Sequence, residues 1–109
     1  MKEMAVDHFK SRRGNCAQAV ALAWKEKRNA QSVQAEQFAS HGGGRAPQGF
    51  CGALHAAREL AGAKKDTVTE QFKLQAEGHT ACRDIRRNRI MPCTACVEAA
   101  AGILEKTIP

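Results

Sequence analysis

Five cysteines are the residues of this 109-residue chain that could do chemistry. They are Cys16, Cys51, Cys82, Cys93 and Cys96, and each lies within a few residues of a Gly, Asn, Thr or Pro that could begin a helical turn. The start of a helix offers free backbone N–H groups and a partial positive charge, which favour a thiolate over a thiol. Thiolates bind metals and carry out redox reactions, so this placement predicts a metal or redox site.

The spacing of the cysteines strengthens this prediction. Cys93 and Cys96 form a CxxC motif at a predicted helix start, and residues three apart share a helical face, so both sulfurs can face one ligand. Cys82 precedes them by a short segment, and Cys16 or Cys51 would add a fourth soft ligand. Four thiolates suit an iron–sulfur cluster or zinc, which makes all five cysteines candidate metal ligands. The alternative for each is a buried, inert core thiol.

A second ligand set is typical of zinc. His79-x2-Cys82 together with Cys93-x2-Cys96 predicts a structural zinc domain that binds a protein partner, with Cys16 and Cys51 as spectators. In the competing interpretation His79 is a solvated residue after a helix stop. The other three histidines are then surface or packing residues.

The CxxC motif is also typical of a thiol–disulfide enzyme, in which Cys93 or Cys96 would be the nucleophile. A thioredoxin-type dithiol needs a βαβ context, which the helical pattern does not supply. A c-type haem site is excluded, because Val97 stands where a histidine should follow. A helical interaction module with inert cysteines is the remaining interpretation.

A glycine-rich segment, Gly42–Gly49, predicts an irregular loop. It lacks the Gly-Lys-Ser/Thr ending of a phosphate-binding loop. Gly43 and Gly44 are candidate cofactor-binding residues, since backbone without side chains can pass close to a cofactor and donate N–H bonds to its sulfur. A flexible connection explains the segment equally well.

Four arginines, Arg83, Arg86, Arg87 and Arg89, form a basic cluster beside Cys82. They could lower the pKa of a thiol or steer an acidic redox partner protein, and a solvated helix face is the alternative. Nucleic acid is not an expected partner: the chain has four Phe, one Trp and no Tyr, so side chains that could stack on bases are scarce.

Composition places the chain among globular proteins, with 43% hydrophobic and 26% charged residues and a net charge of +6. Met1–Lys10 lacks the apolar stretch of a signal peptide, and no run approaches the roughly 18 apolar residues of a membrane helix. We therefore expect no membrane association and a reducing, cytoplasmic location. In such a compartment cysteines serve metals or catalysis more often than structural disulfides, and an odd count fits poorly with complete pairing.

Helical spacing of apolar residues and candidate caps predict the elements that position the cysteines. The first three predicted helices are Met1–Arg12, Cys16–Arg28 with Asn15 as its cap, and Ser32–Ser40. The next two run from Gly49 to a stop at Gly62, and from a capping box at Thr67–Glu70 to a stop at Gly78. The last two are Ala81–Arg89 with Thr80 as its cap, and a helix with Pro92 in its first turn. These elements make one all-α domain over residues 1–109, a compact bundle of six or seven helices with a glycine-rich loop. The cysteines should converge at one end of it.

Several segments together resemble a known family. They are Asn15-Cys16-Ala17-Gln18-Ala19-Val20, Gly42-Gly43-Gly44 with Cys51-Gly52-Ala53-Leu54, Cys82-Arg-Asp-Ile85, and Cys93 with Cys96-Val-Glu-Ala-Ala100 and Ile103-Leu104. Their order and spacing, over roughly Phe9 to Leu104, are similar to those of the C-GCA-x-x-G-C-C family, which is described as redox-active.

The resemblance implies a small helical protein whose cysteines act in redox chemistry. Related segments in split-Soret cytochromes are thought to hold an iron–sulfur cluster, which implies Cys16, Cys51, Cys82 and Cys93 or Cys96 as ligands. One departure is Ala56, where the family has a glycine. The expected function is electron transfer or an accessory redox role, through a bound iron–sulfur cluster or through thiol/disulfide change.

Overall fold

Helices make up most of the chain in the computed structural model, which describes residues 1–28, 35–38 and 49–108. The α-helices are α1 (Lys2–Lys10), α2 (Cys16–Arg28), α3 (Gly52–Ala61), α4 (Lys65–Gln75), α5 (Cys82–Arg87) and α6 (Cys93–Thr107), with 3-10 helices at Ala35–Phe38 and Gly62–Lys64. Within the described ranges, β pairing is limited to one antiparallel bridge between Phe50 and Ala81. The all-α prediction is confirmed. None of the helices in these ranges is long and apolar enough to cross a membrane.

The predicted number of bundle helices, six or seven, is wrong. Among the described residues, five helices of nine or more residues form the bundle, and α5 adds only six residues. It ends early because Arg89 takes a positive φ of 53° and Ile90 N–H donates back to the Ile85 carbonyl at 3.1 Å, which closes the helix. Of the helix predicted at Ser32–Ser40, the structure describes only the 3-10 helix Ala35–Phe38, and the rest lies outside the described residues.

Helices α3 and α6 lie at the centre of the bundle. Helix α6 packs against α1, α2, α3 and α4, and α3 also packs against α2 and α4. Both helices carry fully buried alanines, among them Ala53, Ala56 and Ala57 in α3 and Ala100 and Ala101 in α6. Small side chains let helix backbones approach closely, so α3 and α6 can pack tightly against their neighbours.

The glycine stops confirm the predicted ends of two helices. Gly62 follows α3 with φ 60°, and Gly78 follows α4 with φ 89° and donates its N–H to the Lys73 carbonyl at 2.8 Å. The capping box at Thr67–Glu70 is wrong. Helix α4 already begins at Lys65, directly after the 3-10 turn, and has no side-chain cap.

Candidate functional site

All five cysteines line one small cavity at the N-terminal ends of four helices. Its walls are Cys16, Cys51, Cys82, Cys93 and Cys96, together with Ile85, Arg86 and Met91. The cavity volume is about 20 Å³, which is room for a single water-sized atom. The cysteines, distant in the sequence, therefore converge at one end of the bundle.

Each cysteine lies at or near a helix start, as the sequence predicts. Cys16, Cys82 and Cys93 are the first residues of α2, α5 and α6. Cys51 is the N-cap residue of α3, and Cys96 lies one turn into α6. The first turns of the long helices α2, α3 and α6 therefore direct backbone N–H groups and partial positive charge toward the sulfurs.

Reciprocal hydrogen bonds at the start of α2 position Cys16. Asn15 Oδ1 accepts from the Gln18 backbone N–H at 2.8 Å, and Gln18 Oε1 accepts from the Asn15 N–H at 3.0 Å. This capping box confirms Asn15 as the predicted cap. Asn15 Nδ2 also donates to the Phe38 carbonyl at 3.2 Å, which ties the 3-10 helix to the same corner.

A backbone connection places Cys51 next to Cys82. Cys51 N–H donates to the Thr80 carbonyl at 2.8 Å, beside the bridge between Phe50 and Ala81. The segments that lead into α3 and α5 are thereby held side by side. Thr80 serves in this connection and is not the predicted cap of α5, since Ala81 is the N-cap residue.

The start of α6 presents two thiols on one face. Pro92 is the N-cap residue, one position earlier than predicted, and its carbonyl accepts from Cys96 N–H at 3.1 Å. Cys96 is buried, whereas Cys93, one turn earlier, is half-buried. Cys93 is therefore the thiol nearest to solvent.

The thiols of Cys51 and Cys96 lie next to each other in the cavity. The interaction with the Cys96 thiol, then burial, then the charge that a Cys96 thiolate would carry raise the pKa of Cys51 far above its usual 9.0. The N–H groups of Leu54 and Ala53 lie near the sulfur and act in the opposite direction, although no capping hydrogen bond forms. Burial and the neighbouring thiol outweigh the helix N-terminus, so the thiolate expected from sequence is not the form present at neutral pH.

Arg86 is the arginine of the basic cluster that acts on the cavity. Loss of solvent raises the pKa of Cys93, the Arg86 guanidinium lowers it, and the nearby Cys82 and Cys51 raise it further. The net direction is upward. Arg83, in contrast, lies 3.7 Å from the Asp84 carboxylate on the solvent side of α5.

An open groove adjoins the cavity on the side of Cys93. Its volume is about 460 Å³, and it is lined by Arg86, Arg89, Met91, Pro92 and Cys93. Arg86, Met91 and Cys93 line both spaces. The groove is therefore the solvent side of the cysteine cavity.

None of the described histidines lines the cysteine cavity. In the part of the chain that the structure describes, no three His, Cys, Asp or Glu side chains are arranged to hold one metal ion. His79 is absent from the described cavity lining. His8 is buried with its Nε2 3.2 Å from Glu26 Oε1, and His55 is buried with its ring edge-on to Phe38.

The predicted cofactor contacts from Gly43 and Gly44 lie outside the described residues. Gly49, at the end of that segment, has a φ of 72° and leads directly into the Phe50 bridge and Cys51. The described part of the glycine segment thus adjoins the cavity through Cys51.

Sequence reasoning missed Met91 as a wall of the cavity. Ile85 carried a signal, because it lies three residues after Cys82 and shares its helical face. Met91 lies between helices, where no periodicity marks the buried side.

Comparisons with known proteins give no match, whether to a protein-family model, a curated protein or a solved structure. The resemblance to the C-GCA-x-x-G-C-C family stays a prediction. The functional proposal therefore rests on the cysteine cavity itself.

Proposed function

We propose that this chain is a redox-active protein whose cysteine cavity holds an iron–sulfur cluster. The observation that carries the proposal is the composition of the cavity wall: five thiols, with no histidine or carboxylate among the lining residues that the structure describes. Iron–sulfur clusters are held by cysteine thiolates. Cys16, Cys51 and Cys82 would supply three ligands, and Cys93 or Cys96 the fourth.

A cluster and a single zinc ion place different demands on the thiols. Structural zinc needs four ligands about 2.3 Å from one point. In a cluster different thiolates bind different iron atoms, so the sulfurs need not converge on a point. Such a cluster is larger than the 20 Å³ cavity, so binding requires the walls to move apart.

The rim is the least buried part of the cavity wall. Cys93 and Met91 are half-buried, whereas Cys16, Cys51, Cys82 and Cys96 are at most 8% exposed. The buried thiols give up protons when they bind a metal, and the first turns of α2, α3 and α6 stabilise the resulting charge. When bound, the cluster supplies a reversible one-electron carrier.

These properties suit electron transfer or an accessory redox role in a reducing compartment such as the cytoplasm. Two arginines beside the cavity, Arg86 and Arg89, suit an acidic redox partner protein. The proposed family resemblance points in the same direction.

The neighbouring thiols of Cys51 and Cys96 favour a second candidate, a redox dithiol. With a low-molecular-weight disulfide as oxidant, the two sulfurs form a bond and lose two protons and two electrons. The oxidant is reduced to two thiols. This reaction would take place in protein that holds no metal.

The deciding experiment is anaerobic purification, followed by measurement of iron, acid-labile sulfide and the visible absorption spectrum. We expect brown protein with iron and sulfide in equal amounts, and loss of both in the variant C51S/C82S. The control H79A should keep its iron, because His79 does not line the cavity. Colourless protein with stoichiometric zinc would establish the zinc alternative instead.

A further inference from the structure

The groove outside the cysteine cavity contains two positively charged side chains. Arg86 and Arg89 are exposed, and within the described residues neither forms an ion pair. The carboxylate on the same helix, Asp84, lies beside Arg83 instead. Two unpaired guanidinium groups in one groove attract an anionic ligand.

Cys93 joins this groove to the cavity. It lines both spaces and is half-buried, whereas the other four thiols are at most 8% exposed. A group that approaches from solvent therefore meets Cys93 before the inner thiols. The flanking Met91 and Pro92 give the groove an apolar wall beside the two charges.

We propose that this groove, the access groove lined by Arg86, Arg89, Met91, Pro92 and Cys93, receives the metal centre as an anionic thiolate complex. Cys93 is the first acceptor ligand. The inference rests on the proposed cluster function and adds the route and the chemical form in which the centre is delivered. Iron–sulfur centres ligated by thiolates carry net negative charge, which matches the two arginines.

The transfer step is a ligand exchange without redox change. A bond forms between Cys93 Sγ and iron, and a bond between iron and one donor thiolate breaks. The proton of the Cys93 thiol goes to the departing thiolate, which leaves as a thiol. Further exchanges then pass the centre to the inner cysteines.

The first test probes the groove without any cluster. Reduced, metal-free protein is treated with iodoacetate, an anion, or with neutral iodoacetamide, and the modified cysteine is located by mass spectrometry. We expect Cys93 to react first, with an iodoacetate-to-iodoacetamide rate ratio above that of a small neutral thiol. Both reagents react with the same thiolate, so the ratio is independent of how strongly Arg86 promotes ionisation.

Matched variants identify the charges responsible. In R86A/R89G the ratio should fall about fivefold, and in R83A/R87A, which loses the same total charge outside the groove, it should not change. Glycine suits position 89, whose φ is 53°, so this variant removes the charge without disfavouring the backbone. An equal fall in both variants, or none in either, would overturn the inference.

The second test measures loading. Metal-free protein receives a [4Fe–4S] cluster ligated by glutathione, and the rise in visible absorption is followed under anaerobic conditions. R86A/R89G should load about fivefold more slowly yet reach the wild-type iron content, while R83A/R87A loads at the wild-type rate. Equal loading rates in all three proteins would overturn the proposed role of the access groove and leave the proposed cluster function intact. A wild-type protein that takes up no cluster overturns the proposed function, and the inference with it.

Discussion

The thiol of Cys51, at the start of α3, lies next to the thiol of Cys96, in the first turn of α6. The two central helices of the bundle thus meet at a pair of sulfurs inside the cavity. The same contact raises the pKa of Cys51. It therefore links the redox chemistry of the site to the ionisation of its thiols and to the packing of the core.

This pair should form a disulfide when metal-free protein is oxidised. With glutathione disulfide as oxidant, we expect a Cys51–Cys96 bond, detected by peptide mapping, because these thiols lie next to each other in the cavity. The rate should rise with pH, since the thiolate is the attacking species and the Cys96 thiol and burial hold the pKa of Cys51 high. C96S should abolish this bond and C16S should keep it. A Cys93–Cys96 product in wild-type protein would contradict the prediction.

The stability of metal-free protein should fall above about pH 9. The usual pKa of a cysteine, 9.0, applies to the unfolded chain, whereas the folded pKa of Cys51 is raised. Above pH 9 the folded state therefore holds a proton that the unfolded state has lost. The stabilising contribution is complete below pH 9 and decreases as the pH rises, by about 1.4 kcal/mol per pH unit for one thiol.

Urea unfolding at several values between pH 7.5 and pH 10 measures this effect. In the variant C51A the free energy of unfolding should decrease less steeply with pH than in wild-type protein. The two slopes should differ by at most about 1.4 kcal/mol per pH unit, the contribution of one thiol. This comparison cancels the contribution of lysines, which also begin to titrate in this range. Parallel declines in the two proteins would rule out Cys51 as the source.

The cap of α2 should contribute both to the stability of the protein and to its retention of metal. N15A removes the acceptor for the Gln18 N–H and the donor to the Phe38 carbonyl, and loss of such a cap costs about 1 kcal/mol. The start of α2 carries Cys16, so the midpoint of iron retention against a chelator should fall as well. N15D keeps the acceptor oxygen and should recover most of the stability. If N15D is as unstable as N15A, the capping bond is not the cause.

The sequence determined the long helices and the meeting of the cysteines, because both follow from local signals. Asn15 marks the start of α2, and Gly62 marks the end of α3. Because the cysteines lie at helix starts, they come together where those starts meet in the bundle. Three features depend on tertiary structure, and sequence could not supply them. The Cys51–Thr80 hydrogen bond joins distant segments. The Cys96 thiol and burial together raise the pKa of Cys51, against the expected thiolate. Met91 reaches the cavity from an irregular connection.

Ile85 should hold the short helix α5, and with it Cys82, against the bundle. Its side chain is 1% exposed and forms a wall of the cavity, while α5 has only six residues to hold it in place. I85A should lower the free energy of unfolding by about 2–4 kcal/mol and speed alkylation of Cys82 in metal-free protein. The control L74A, at a side chain 77% exposed, should change stability by less than about 0.5 kcal/mol and leave Cys82 protected. Chemical denaturation and mass-spectrometric alkylation test both effects. An unchanged rate of Cys82 alkylation in I85A would mean that the Phe50–Ala81 bridge, not Ile85, holds Cys82 in place.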